Sequence, residues 1–184
     1  MFLITALPGG HKLQGADRLQ YLILFEAAIL RTLILGLGNP IRGDDGVGIK
    51  IAEALESEIH HPEVEVAESI SGGLDLLDLL AGYQRAIIID AIQTHQGKPG
   101  QVYRLGLENL PAPLHCSVVH DVDLVTALEL GRRLGMAMPQ EIVIFAIEVA
   151  DVTTFGEECT PEVERSIPEV IRLVLQELPT ADQA

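Results

Sequence analysis

Residues 33–48, LILGLGNPIRGDDGVG, carry the reading on which the fold turns. The run TLILGL over Thr32–Leu37 is short, apolar and closed by glycine, which predicts a fully buried strand. A glycine-rich turn follows, then two adjacent carboxylates, Asp44 and Asp45. The next residues, VGIKIAEALESE over Val47–Glu58, have apolar side chains at helical spacing. Strand, turn, acid pair and helix in this order set the acids at the carboxyl end of a strand. Open α/β folds hold their ligands there.

The rest of the chain repeats that alternation. Glu63–Ala67 (EVEVA) alternates as a strand does, and Gly72 with Gly73 marks a turn before a helix over Leu74–Leu80. Ala86–Ile92 (AIIIDAI) reads as a second buried strand with Asp90 near its end. The turn Gly97–Gly100 precedes a short strand, Gln101–Leu105. His120–Leu134 is predicted helical, Glu141–Ile147 a strand, and Pro161–Leu178 one closing amphipathic helix. Strands alternating with helices give a mostly parallel, twisted sheet covered on both faces. The domain is expected to run over residues 31–178, with residues 1–30 as an N-terminal extension and 179–184 as a C-terminal tail.

Composition narrows the function. The chain has 184 residues, is 48% hydrophobic and 21% charged, which suits one domain with a sizeable core. Its formal net charge of -15, with 12 Lys+Arg, argues against a nucleic-acid surface. Cys116 and Cys159 form neither a CxxC pair nor a disulfide framework, so a reduced, cytoplasmic protein is expected. The apolar run Tyr21–Leu30 is too short to span a bilayer, and no membrane is expected.

The residues themselves offer several chemistries. Gly36-Leu37-Gly38 begins like a dinucleotide fingerprint, but the third glycine would fall at Ile41. The two glycines then serve to turn the backbone sharply. Asp44 or Asp45 is suited to cap the following helix, yet two neighbouring carboxylates flanked by Gly43 and Gly46 point to more than a cap. Asp90 is costly inside an apolar strand unless it sits at the strand's end or is paired. At the end, it shares a rim with Asp45. His120 heads an apolar helix facing the same rim. Two carboxylates and one imidazole converging there suit a divalent metal with open coordination positions. No GxSxG elbow is present, which argues against a Ser-His-Asp hydrolase. Cys116 reads as a packing residue rather than a nucleophile.

Taken in order, GLGNPIRGDDGVG, SGGLDLLDLL, AIIIDAI, GKPGQVYRL, the Ser117–His120 segment and CTPEVERSIPEVI resemble the hydrogenase maturation endopeptidases. These are the processing proteases of nickel-iron hydrogenase large subunits. The resemblance runs from about Arg31 to Leu178. The GLGNP start is also similar to peptidyl-tRNA hydrolase, whose Arg-His-Asn segment is absent here.

The family resemblance implies a three-layer α/β/α sandwich and an endopeptidase that removes the C-terminal peptide of the large-subunit precursor. It implies three nickel-binding positions, which fall on Asp45, Asp90 and His120. The family writes the third as Ser-x-His, whereas this chain has Ser117-Val118-Val119-His120, which keeps His115 as an alternative. Asp123 stands where a glycine is common. The nickel would be the one already loaded into the precursor, read as a checkpoint before cleavage, and no organic cofactor is implied. Asp45 and Asp90 are the expected catalytic residues, either holding a metal that activates water or acting as general base. A non-catalytic nickel-checkpoint or chaperone module binding the same precursor is the alternative. Contacts to the precursor are expected from the loops Gln93–Gly100 and Val149–Glu158, with the protein acting as a monomer.

Overall fold

The computed structural model describes residues 31–70, 72–107 and 124–178. Within them, five strands form one sheet: β1 (Thr32–Leu37), β2 (Val64–Ser69), β3 (Arg85–Ile92), β4 (Val102–Gly106) and β5 (Glu141–Glu148). Their order across the sheet is β2-β1-β3-β5-β4. β1 pairs in parallel with β2 and β3, and β3 with β5, while β4 lies antiparallel to β5 at one edge. The helices are α1 (Val47–Glu58), α2 (Asp75–Leu80), α3 (Leu124–Arg133), α4 (Pro161–Glu164) and α5 (Ile167–Glu177). A 3-10 turn over Gly43–Gly46 leads into α1.

The central strands are apolar along their whole length because both faces of the sheet are covered. On one face Leu33, Leu35, Ile88 and Ile144 pack with Leu76 and Leu80 of α2 and Leu128 of α3. On the other, Ile34, Ile87, Ile89 and Phe145 pack with Ile51 and Leu55 of α1, Val163 of α4 and Val170 and Val174 of α5. This is the expected three-layer α/β/α sandwich. β2 is the other edge strand, and its exposed Glu65 and Glu68 mark it as one. At the opposite end of the strands from the acid pair, Glu177 at the end of α5 receives the Arg85 guanidinium at 2.6 Å and Arg104 Nε at 2.6 Å. These bonds hold its carboxyl below the usual range, chiefly through Arg104.

Three expectations change. The helix expected over Pro161–Leu178 is two helices. Pro168 has no N–H to donate and its ring would meet the carbonyl of Glu164 in a straight helix, so the chain breaks at Arg165 and Ser166. The Ser166 hydroxyl donates to the Val163 carbonyl at 2.6 Å and tidies the break. Neither Asp44 nor Asp45 caps α1: the cap is Gly46, with no side-chain hydrogen bond. Gly36 is not a turn residue either. It lies inside β1, where a Cβ would sit 2.3 Å from the Gly48 carbonyl oxygen. A Cβ on Gly48 would sit 2.2 Å from the Leu37 oxygen and 2.5 Å from that of Ile89. The paired glycines let the first turn of α1 press onto the ends of β1 and β3. That contact holds the turn bearing Asp44 and Asp45 at the rim.

The helix expected over His120–Leu134 is seen from Leu124 to Arg133. Residues 108–123, 1–30 and 179–184 lie outside the described residues, and with them His115, Cys116, His120, the extension and the tail. Among the described residues, no helix is long and apolar enough to cross a membrane.

Candidate functional site

The strand order has one reversal at its centre. From β1 the chain moves to β2 on one side, then crosses to β3 on the other. The loops leaving the carboxyl ends of β1 and β3 therefore diverge, and a crevice opens between them. Asp45 follows β1, and Asp90 lies in β3 two residues before its end. The structure thus brings both predicted carboxylates to the switch point of the sheet.

Asp90 sits just past the paired stretch of β1 and β3, which ends at Gly36 opposite Ile89. It is only partly exposed and, among the described residues, accepts one 2.8 Å hydrogen bond, from the amide of Ala91. Burial pushes its carboxyl up to about 7, against that hydrogen bond, and the nearby Asp45 carboxylate adds to the rise. A carboxyl balanced near neutrality at a crevice is a functional-site signature. Asp45 is 2% exposed, and its Oδ2 accepts the Asn39 amide at 3.1 Å.

The adjacent acids have separate tasks. Asp44 is 1% exposed and is taken up by the segment after β5. Its Oδ1 accepts the Thr160 amide at 2.6 Å, and its Oδ2 accepts the Thr160 hydroxyl at 3.1 Å and the Ala150 amide at 3.2 Å. Gly43 takes φ +56°, a left-handed conformation that turns the chain between Arg42 and the acid pair.

The third predicted ligand, His120, and its alternative His115 lie outside the described residues. Among the described residues, no group of three His, Cys, Asp or Glu side chains is placed to hold a metal ion. The two carboxylates fit a hard or borderline divalent ion as a partial donor set. Of the described histidines, the His61 ring accepts the Glu63 amide at 3.2 Å, the His60 ring lies 3.2 Å from the Glu58 carbonyl oxygen, and His95 is exposed on the loop after β3. Cys159 is half-buried, and burial pushes its thiol up to about 11, so it is a poor nucleophile.

Sequence reasoning missed Glu148. It ends β5 on the same rim, is 1% exposed, and its carboxylate accepts the Thr94 amide at 2.6 Å, the Thr94 hydroxyl at 3.0 Å and the Tyr103 hydroxyl at 3.2 Å. Gly97 packs so closely on it that a Cβ would fall 2.0 Å from its carboxyl. The signal was available: a charged residue lies at the carboxyl end of a largely apolar strand, much as Asp90 lies near that of β3. Glu148 anchors the loop 93–100, and Gln93 donates to the Ala150 carbonyl at 3.0 Å, linking the two predicted contact loops. Both loops leave the carboxyl ends of parallel strands, so they flank the crevice. On its β2 side a cleft of about 260 Å³ is lined by Pro40, Ile49, Glu53, Glu68, Ser69 and Ile70. Partial burial, with Glu53 and Glu56 nearby, raises the Glu68 carboxyl.

The model of the hydrogenase maturation protease family matches residues 49–177. The chain is 30% identical over 151 residues to the hydrogenase 2 maturation protease of Escherichia coli, covering 81% of this chain and 91% of that one. Among solved structures, it is similar to the hydrogenase maturating endopeptidase HybD from Escherichia coli, with a TM-score of 0.70 and 29% identity over 80% of this chain and 91% of that one. The nickel-iron hydrogenase maturation protease HybD from Thermococcus kodakarensis gives a TM-score of 0.62 at 27% identity, covering 81% of this chain and 99% of that one.

Proposed function

This chain belongs to the hydrogenase maturation protease family, and from that premise we propose that it removes the C-terminal peptide of a nickel-loaded hydrogenase large-subunit precursor in the cytoplasm. The observation that carries the reading is the meeting of Asp45 and Asp90 at the switch point of the sheet, with Asp90 held near neutrality. Asp45 and Asp90, with His120 as third donor, bind the nickel that arrives with the precursor. No resident metal is required, because the ion belongs to the substrate. A metal held there polarises a scissile carbonyl and acidifies water, which is the chemistry that the substrate brings.

The chain's own residues supply position and proton management. Asp45 is fixed by the Asn39 amide, so it presents its carboxylate without a search for geometry. A carboxylate bound to nickel is not free to act as base, so in the alternative route it is an unbound Asp90 that takes the proton of an attacking water and returns it to the departing amide nitrogen. Water then adds across the peptide bond: its oxygen stays on the carbonyl carbon, and both its protons end on the two products. The 93–100 and 149–158 loops meet the folded body of the precursor. The cleft lined by Pro40, Ile49 and Ile70 on the β2 side is a candidate seat for its peptide.

The test is incubation with the precursor, nickel-loaded and nickel-free, read by intact mass. The expected result is nickel-dependent loss of a C-terminal peptide. Asp45→Asn should slow it by about a hundredfold or more. Wild-type speed in that variant would overturn the role of Asp45. Binding without a change in mass would favour the non-catalytic checkpoint module.

A further inference from the structure

Asp44 is a buried carboxylate that the proposed chemistry does not use. Its four described donors are the amides of Ala150, Asp151 and Thr160 and the Thr160 hydroxyl, at 2.6 to 3.4 Å. All belong to one strap, residues 150–160, and all are neutral. A charge buried to 1% exposure is tolerated only with such a set of donors. The donors come from both ends of the strap, so a single side chain closes it.

The middle of the strap is held as well. Arg42 and Gly156 form a parallel bridge, with the Gly43 amide donating to the Gly156 carbonyl at 2.7 Å and the Gly156 amide to that of Ile41 at 3.0 Å. Asp151 folds the strap's own start, accepting the Thr153 amide and hydroxyl at 2.8 Å and the Thr154 amide at 3.1 Å. The strap carries Phe155, which is 79% exposed and precedes the Gly156 bridged to Arg42.

We propose that Asp44 is a positioning residue: its carboxylate binds the 150–160 strap to the turn that presents Asp45, so that both meet the precursor as one rigid unit. The inference rests on the proposed function and deepens it. It divides the acid pair into one carboxylate for the substrate's metal and one for the protein's own strap. Loosening the clamp leaves the reacting groups in place and weakens their encounter with the precursor. The cost therefore falls on KM rather than kcat.

The experiment compares the full-length protein with Asp44→Asn, Thr160→Val and Thr160→Ser. Amide hydrogen exchange is read at Ala150, Asp151 and Thr160, and KM and kcat are read on nickel-loaded precursor. Thr160→Val should speed exchange and raise KM by about tenfold, the scale of one hydrogen bond to a charged group, with kcat within about twofold. Asp44→Asn should do more, because its amide group turns N–H donors toward N–H donors. Thr160→Ser keeps the hydroxyl and should restore both readouts. If Asp44→Asn does not fold, the Thr160 pair carries the test. Faster exchange with unchanged KM would overturn the proposal, as would unchanged exchange, or a Ser variant as impaired as Val. If the wild-type protein leaves the precursor uncut, the proposed function fails by itself. The clamp is then judged on exchange and on the Kd for the precursor.

Discussion

Asp90 trades stability for chemistry, and its protonation shows the sign of the trade. The folded protein holds the carboxyl at about 7, against an ordinary value of 3.8. The folded state therefore binds the Asp90 proton more tightly than the unfolded state does. The favourable contribution is complete below about pH 4 and is lost as pH rises through 7. Asp90→Asn keeps an oxygen for the Ala91 amide and removes the ionisation. It should melt above wild type at pH 8, by roughly 5 °C or more, and match it near pH 4. Parallel thermal melts at the two pH values check this, and an equal shift at both would contradict the assigned ionisation. The same variant should lose precursor cleavage.

At the level of the element, the contact of α1 with β1 and β3 is what holds Asp45 at the crevice. Gly48→Ala places a methyl 2.2 Å and 2.5 Å from two carbonyl oxygens of the backbone, neither of which can turn aside. The helix has to lift, at a cost of about 3 kcal/mol, and the acid turn lifts with it. Denaturant unfolding should show that loss together with slower cleavage. Gly156→Ala is the control: a Cβ there meets nothing within 4 Å, and stability should stay within about 0.5 kcal/mol.

The molecule as a whole separates a stabilising body from a discriminating rim. Phe145 is fully buried between the sheet and its α1–α5 layer, so Phe145→Ala should cost about 3–5 kcal/mol of global stability. His95 and Lys98 are exposed on the loop anchored by Glu148. Replacing both with alanine should leave the melting temperature within about 2 °C while raising KM for the precursor. A fall in stability of the size seen for Phe145→Ala would show that this loop belongs to the body.

The amino-acid sequence alone determined the layers, the main strands and helices, and the two carboxylates at the rim. Apolar runs of five to eight residues and helical spacing are local signals, and glycine or a charge at the end of a run marks where it stops. Asp90 was legible because an acid in an apolar strand is conspicuous. The division of labour between Asp44 and Asp45 was not legible. Two neighbouring aspartates are chemically identical, and they become different only when the chain 106 to 116 residues later folds back to offer one of them its donors. The place of Glu148 at a strand end was legible, but its task as a loop anchor was not, since its partners Thr94 and Tyr103 lie 54 and 45 residues away. The break before α5 was misjudged because amphipathic spacing continues smoothly across Pro168, although its backbone hydrogen bonds cannot. Strand pairing and the donors around a buried charge are contacts between distant parts of the chain. Periodicity and composition describe neighbours, so only the folded arrangement can assign them.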